Sequence, residues 1–331
     1  MNVLVTGHAG FIGYHVVKRL QEREDVAVTG VDALREYYSP DLKLDRLSDL
    51  GFDHSHKPIA HHGEHESYIM DVSDTEALAE IMVYRKITHV IHLAAQAGVR
   101  HSIENPLIYI SDNIEAFASV LEVCNALSVS HLIYASSSSV YGGATSVPFK
   151  VSDRVDRPVS TYAATKKCNE LQAHTYSHLF QLPCTGLRFF TCYGPWTRPD
   201  MALHLFVDAI ANERPIEVFN HGHMRRDFTY VGDVARMVEQ LIDKVPSEDT
   251  PYRLLNIGAG RSVELGDYVK AIEKAMGTSA EIIYRDLQAG DMVETYADIS
   301  ETIELIGSQQ TVSLQQGVDN FVKWYKAYYD K

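Results

Sequence analysis

The sequence is short of positive charge, of paired cysteines and of long apolar runs, and each shortage excludes a class of protein. Its 331 residues carry 30 Lys and Arg against 44 Asp and Glu, a formal net charge of −14. A surface that acidic repels polyphosphate, which argues against nucleic acid as a partner. The four cysteines (Cys124, Cys168, Cys184 and Cys192) form no CxxC pair. They read as buried thiols of a reducing compartment rather than a secreted disulfide scaffold. No run approaches the roughly 18 apolar residues of a membrane span, and the start Met1-Asn2-Val3-Leu4-Val5-Thr6-Gly7 lacks the basic and apolar regions of a secretory signal. A soluble, cytoplasmic protein without a membrane partner is the expectation. The composition, 45% hydrophobic and 22% charged, suffices for one large core and a second lobe.

Short apolar runs alternate with amphipathic stretches through the first half. Strands are predicted at 3–5, 26–31, 67–70, 89–93, 131–135 and 184–190, and helices at 14–21, 75–85, 114–127 and 162–180. Val- and Ile-rich strands alternating with helices predict α/β architecture, a doubly wound parallel sheet covered on both faces. After Thr191 the segments shorten, with turn signals at Gly194-Pro195 and Asn220-His221-Gly222, which predicts a smaller mixed α/β lobe. Residues 252–257 read as one more strand of the main sheet. The expected division is 1–190 plus about 226–262 for the first domain, and about 191–225 plus 263–331 for the second. The polar, His-rich stretch 53–65 reads as a surface insertion. The spacing of His54, His56, His61, His62 and His65 fits no compact ligand set, so no metal is expected there.

Two motifs carry chemistry. Gly7, Gly10 and Gly13 form GxxGxxG directly after the first strand and open a helix, as a pyrophosphate needs in order to approach the backbone at a helix N-terminus. Nineteen residues beyond Gly13, the second strand ends in Asp32. A carboxylate there accepts hydrogen bonds from a ribose and repels a 2′-phosphate, favouring NAD over NADP. Asp71-Val72 and Leu93-Ala94-Ala95 end the next strands, where small residues leave room for a flat cofactor. In the second motif, Tyr162 and Lys166 lie at i and i+4 on one helix face. An ammonium beside a phenol favours the phenolate, making Tyr162 a candidate general base. Upstream, Ser136-Ser137-Ser138-Ser139 stand where a parallel strand should end; serines fill a core poorly but present hydroxyls well.

GxxGxxG, a serine-rich strand end and YxxxK, in this order, resemble the extended short-chain dehydrogenase/reductase superfamily, in particular its nucleotide-sugar epimerases and dehydratases, over nearly the whole chain. Dehydratases carry an Asp-Glu pair after the catalytic hydroxyl residue; here Ser138-Ser139 stand there, so epimerisation is favoured. Segments Asp32 to Lys43, Ala94 to Pro106, Arg188 to Ala202 and Met224 to Val231 are similar to UDP-glucuronate 4-epimerases. Departures from that pattern are His8, His101 and Cys192.

The resemblance implies NAD as cofactor and reversible C4 inversion between UDP-glucuronate and UDP-galacturonate through a 4-keto sugar. Tyr162, Lys166 and Ser137 would be catalytic. Gly7, Gly10, Phe11, Ile12, Gly13, Asp32, Lys43, Asp71, Val72, Leu93, Ala94, Ala95, Asn113 and Ser136 would join Tyr162 and Lys166 around the cofactor. Around the UDP-sugar it implies Arg100, Ser137, Ser138, Ser139, Thr191, Arg198, Met201, Leu203, Phe219, Arg226, Gln288 and Asp291. Arg198 offers a bidentate fork for the sugar carboxylate, and Arg226 a grip on the diphosphate. Helices 113–127 and 165–180 would pair in a homodimer. Alternatives are a neutral-hexose 4-epimerase, a UDP-glucuronate decarboxylase, or a non-catalytic NAD-binding sensor.

Overall fold

The computed structural model describes residues 1–55, 57–144, 146–287, 292–308 and 311–330. It divides into two compact units. The first comprises residues 1–142, 154–188 and 235–255; the second comprises 143–153, 189–234 and 256–331. Segment 143–153 thus groups with the second unit, and of the return segment near 226–262 only 235–255 groups with the first.

In the first unit, β1 (Asn2–Thr6), α1 (Phe11–Leu20), β2 (Ala27–Asp32) and α2 (Pro40–Asp49) are followed by β3 (Ile59–His62), β4 (His65–Ile69), α3 (Thr75–Tyr84) and β5 (His89–His92). Next come α4 (Val99–Glu104), α5 (Pro106–Tyr109), a π-helical turn (Ile110–Glu115), α6 (Ala116–Ala126), β6 (His131–Ser137), α7 (Thr161–Phe180) and β7 (Cys184–Phe189). The strand order of the eight-stranded sheet is β12-β7-β6-β5-β1-β2-β4-β3, with β12 at Tyr252–Ile257. β1 pairs in parallel with β2 on one side and β5 on the other, Val3 lying opposite Val28 and His89. The order therefore reverses at β1, and ligands of such sheets bind outside the carboxyl ends of the strands at that reversal.

The doubly wound α/β expectation holds, with one strand it lacked. Ile59–His62, inside the supposed insertion, pairs antiparallel with β4 as the edge strand. Its side chains are mostly exposed, so pairing rests on backbone bonds that an apolar pattern cannot reveal. A core of Leu4, Val31, Val90, Phe117, Leu121, Leu132 and Tyr134 packs α3 and α6 on the sheet.

The second unit contains β8 (Thr191–Tyr193), α8 (Ala202–Ala211), β9 (Ile216–Phe219), β10 (Arg225–Arg226) and β11 (Phe228–Tyr230). It continues with β13 (Val263–Glu264), α10 (Leu265–Met276), β14 (Ile282–Arg285), α11 (Ser300–Ile306) and α12 (Leu314–Tyr328); α9 (Val231–Leu241) and β12 each run across a unit boundary. Its strands form three two-stranded pairs around a core in which Phe228 stacks on Tyr268 at 4.0 Å. Among the described residues no helix is long and apolar enough to cross a membrane, and no group of three His, Cys, Asp or Glu is placed to hold a metal. His56 lies outside the described residues.

Candidate active site

The glycine turn is dictated by contact. Gly7 has φ +71°, and a Cβ on it would lie 2.7 Å from Ala94 N and 2.8 Å from Leu93 C at the end of β5. A Cβ on Gly13 would overlap the Gly7 carbonyl oxygen. The turn therefore presses on β5 and on its own helix as a side-chain-free cradle. Gly10 caps α1 without any side-chain bond, so first-turn N–H groups around Phe11 and Ile12 remain for an anion. Asp32 ends β2 and is 8% exposed; its Oδ2 accepts from Ala9 N at 3.2 Å and its Oδ1 from Leu34 N at 2.8 Å. A carboxylate keeps lone pairs beyond those two bonds for a ribose hydroxyl. These features fit a dinucleotide.

Support for the turn comes from Arg46, which the pattern did not single out, and from residues that it did. Arg46 is fully buried and donates from Nη1 to Ala9 O at 2.8 Å and Tyr38 Oη at 2.6 Å. Lys43 donates to Arg35 O at 2.7 Å, so its ammonium braces the loop after β2. Arg35 binds Asp71 at 2.6 Å. Burial pushes the Asp71 pKa up, but the Ser73 N–H and hydroxyl and the Arg35 charge outweigh it, leaving it below the usual value. Val72 is buried, while Leu93, Ala94 and Ala95 are half-buried. Asn113, in the π-helical turn, accepts from Gln96 N at 2.7 Å and donates to Gln96 O and Thr165 Oγ1, each at 3.0 Å. Its amide ties the loop after β5 to α7.

His8 fills the space left by Gly30 and meets Ser67 Oγ through Nε2 at 2.6 Å. Burial lowers its pKa to about 4, only partly offset by Asp32, so it is neutral at physiological pH. His54 reaches the same hydroxyl at 2.7 Å.

On α7, Ser160 caps the first turn by accepting from Ala163 N at 3.1 Å. Tyr162 is half-buried, its ring edge-on to Tyr109 at 6.2 Å. Lys166 is 2% exposed and donates to Ala135 O at 3.0 Å. Burial lowers its pKa from 10.5 to about 8. At the end of β6, Ser137 Oγ accepts from Ser139 N and donates to Ser139 Oγ, both at 3.2 Å. It thereby starts a 3₁₀ turn, Ser138–Tyr141, on which Ser138 and Ser139 are half-buried. Ser136 differs: its hydroxyl donates to Glu170 Oε1 at 2.7 Å. Arg100 sits on α4 and is exposed.

In the second unit, Arg198 departs from the expected open fork. Its Nε and Nη2 hold Asp200 at 2.9 and 2.8 Å, and Nη2 also meets Met201 Sδ at 3.6 Å. Arg226 Nη1 donates to Arg225 O and Val293 O at 2.9 and 3.1 Å. Leu203 is 1% exposed, within the core of the second unit. Thr191 is half-buried on β8, and Phe219 half-buried at the end of β9. Gln288 and Asp291 lie outside the described residues.

Comparison with known proteins agrees with this geometry. The chain is 46% identical to protein CapI of Staphylococcus aureus over the full length of both. It is 42% identical to a probable UDP-glucuronate 4-epimerase of Rhizobium meliloti, across 99% of this chain and 98% of the relative. The fold matches a UDP-glucuronic acid 4-epimerase from Bacillus cereus, solved with UDP-glucuronic acid and NAD, with a TM-score of 0.90 at 31% identity, covering 99% of this chain and all of that one. The profile of one family spans residues 3–258, from the first strand through the glycine turn and YxxxK to the last strand of the sheet: this chain belongs to the NAD dependent epimerase/dehydratase family.

Proposed function

We propose that the protein inverts C4 of UDP-glucuronate to give UDP-galacturonate, reversibly. The observation that carries the reading is the pairing of Tyr162 and Lys166 on α7 with a strand end that offers serines where a dehydratase needs an acid and a base. Relatives named UDP-glucuronate 4-epimerase support it. NAD, when bound, supplies a reversible hydride acceptor for C4. The first unit would hold it through the Gly7–Gly13 turn and Asp32.

Tyr162 takes the O4 proton as C4 is oxidised, and returns it after the 4-keto sugar has turned over. Lys166, charged below about pH 8, stabilises the phenolate, and Ser137 hydrogen-bonds O4. The 4-keto uronate is a β-keto acid, which loses CO2 when its carboxylate turns perpendicular to the ketone. Ser138, Ser139 and Thr191 supply hydroxyls to restrain it. In the second unit, Arg226 carries the diphosphate and Arg198 the carboxylate, after exchanging Asp200 for it.

Four free cysteines suit a reducing cytoplasm. Exposed Leu171, Leu179 and Phe180 on α7 favour a homodimer through this helix and α6. The Arg198–Asp200 pair favours a second reading, a 4-epimerase for neutral hexoses, in which Arg198 never meets a carboxylate. Turnover of UDP-glucose at a rate matching UDP-glucuronate, unaltered by Arg198→Ala, would select it. Tyr162→Phe tests the base: we expect turnover to fall by roughly 10²–10⁴-fold with NAD content unchanged, and an active variant would refute the assignment.

A further inference from the structure

We propose that Glu170 and Arg188 are positioning residues that hold the serine strand end in register with the helix carrying Tyr162 and Lys166. The inference rests on Tyr162 being the base, and it concerns what fixes the base's surroundings.

Glu170 lies one turn beyond Lys166 and two beyond Tyr162, yet is 1% exposed. A carboxylate so deep must have every oxygen satisfied. Oε1 accepts from Ser136 Oγ at 2.7 Å and Arg188 Nε at 2.8 Å; Oε2 accepts from Arg188 Nη2 at 2.9 Å and lies 3.3 Å from Lys167 Nζ. Burial pushes its pKa up, but the Arg188 bonds and charge and the Ser136 hydroxyl outweigh that, so it stays ionised. Arg188, also 1% exposed, projects from the neighbouring strand β7 as a planar fork. Its guanidinium carbon lies 4.9 Å from the centre of the Tyr141 ring. Tyr252 Oη reaches the Glu170 carbonyl at 3.1 Å.

The placement of these bonds gives them a role beyond stability. α7 grips β6 at two successive residues: Lys166 takes the Ala135 carbonyl at 3.0 Å, and Glu170 takes the Ser136 hydroxyl. The next residue is Ser137, whose own hydroxyl opens the turn that presents Ser138 and Ser139. Arg188 fixes Glu170 from one side and packs on Tyr141, the last residue of that turn, from the other. Both ends of the segment 136–141 are therefore tied to one buried ion pair, so the Ser137 hydroxyl cannot slide along the helix without breaking it. Displacements of about 1 Å at a reacting group cost up to about 100-fold in rate.

The experiment compares Glu170→Gln, Ser136→Ala and their combination with the parent enzyme, as NAD-loaded protein turning over UDP-glucuronate. Rates are expressed per bound NAD. The expected result is a loss of 10-fold to about 100-fold in kcat, with KM changed by no more than about 2-fold. The double variant should be no slower than Glu170→Gln alone, because both act through one bond. Losses that follow falling NAD content or rising KM would mean plain destabilisation and would overturn the proposal. So would Ser136→Ala with full kcat, and it decides the matter should Glu170→Gln fail to fold. Tyr162→Phe, run alongside, separates the failures: if it stays active the base is misassigned, whereas if it is dead and Ser136→Ala is unaffected, only the positioning role falls.

Discussion

Replacing Lys166 with Met should make the NAD-free protein more stable at neutral pH while destroying its activity. Among the described residues the buried ammonium makes one bond, to Ala135 O, and burial lowers its pKa from 10.5 to about 8. At about 1.4 kcal/mol per decade of proton affinity, keeping the charge inside costs folding on the order of 3 kcal/mol below pH 8. There, folded and unfolded chains both hold the proton. Between about pH 8 and 10.5 the folded chain has released it and the unfolded chain has not, so stability rises with pH and the cost disappears above 10.5. Met fills a similar volume without charge and forfeits the bond to Ala135 O, worth about 1 kcal/mol. The net gain at pH 7 is then about 2 kcal/mol, a few degrees in melting temperature. Near pH 10.5 the parent should be the more stable by about 1 kcal/mol. Urea melts of both proteins at the two pH values read this crossover. A variant less stable than the parent at pH 7, with no change of sign, would show that the ammonium is not desolvated and would remove the physical basis for its depressed pKa.

Gly13→Ala should abolish NAD retention and destabilise the protein by roughly 1–3 kcal/mol, because its Cβ overlaps the Gly7 carbonyl; cofactor content and thermal melts check both. Asp200→Ala removes the carboxylate that Arg198 holds, so KM for UDP-glucuronate should fall while KM for UDP-glucose stays constant. A fall for both sugars would place Arg198 on the shared diphosphate instead. Trp324→Ala should loosen the turn carrying Arg198, since Trp196, held at φ +64°, packs on Trp324 at 5.1 Å and Tyr328 at 5.2 Å. With only two tryptophans in the chain, the emission of Trp196 should shift red; an unchanged spectrum would refute the contact.

What could be read from the sequence was set by chemistry with a local signature. Glycines at fixed spacing, Asp32 at a strand end and YxxxK announce themselves because backbone approach and helix periodicity act over a few residues. The π-helical turn at 110–115 did not, because a wider turn leaves no 3.6-residue period and Pro106 already interrupts the helix. The edge strand of Ile59–His62 hid behind histidines that face solvent. Glu170, Arg188 and Arg46 hid for the opposite reason: a charged residue in an amphipathic segment reads as surface, and only the three-dimensional pairing of Glu170 with Arg188, 18 residues away, reveals it as core. The serine run announced hydroxyls without revealing that the Ser136 hydroxyl donates to Glu170. Arg198 announced a fork, and Asp200, two residues on, is what fills it.

The most direct test is to incubate the purified, NAD-loaded protein with UDP-glucuronate and resolve the sugar nucleotides by NMR, then repeat from UDP-galacturonate. C4 inversion requires the same mixture of the two uronates from either side, with no loss of carbon. Absence of UDP-galacturonate at any enzyme concentration, or release of CO2 with a UDP-pentose, would contradict it.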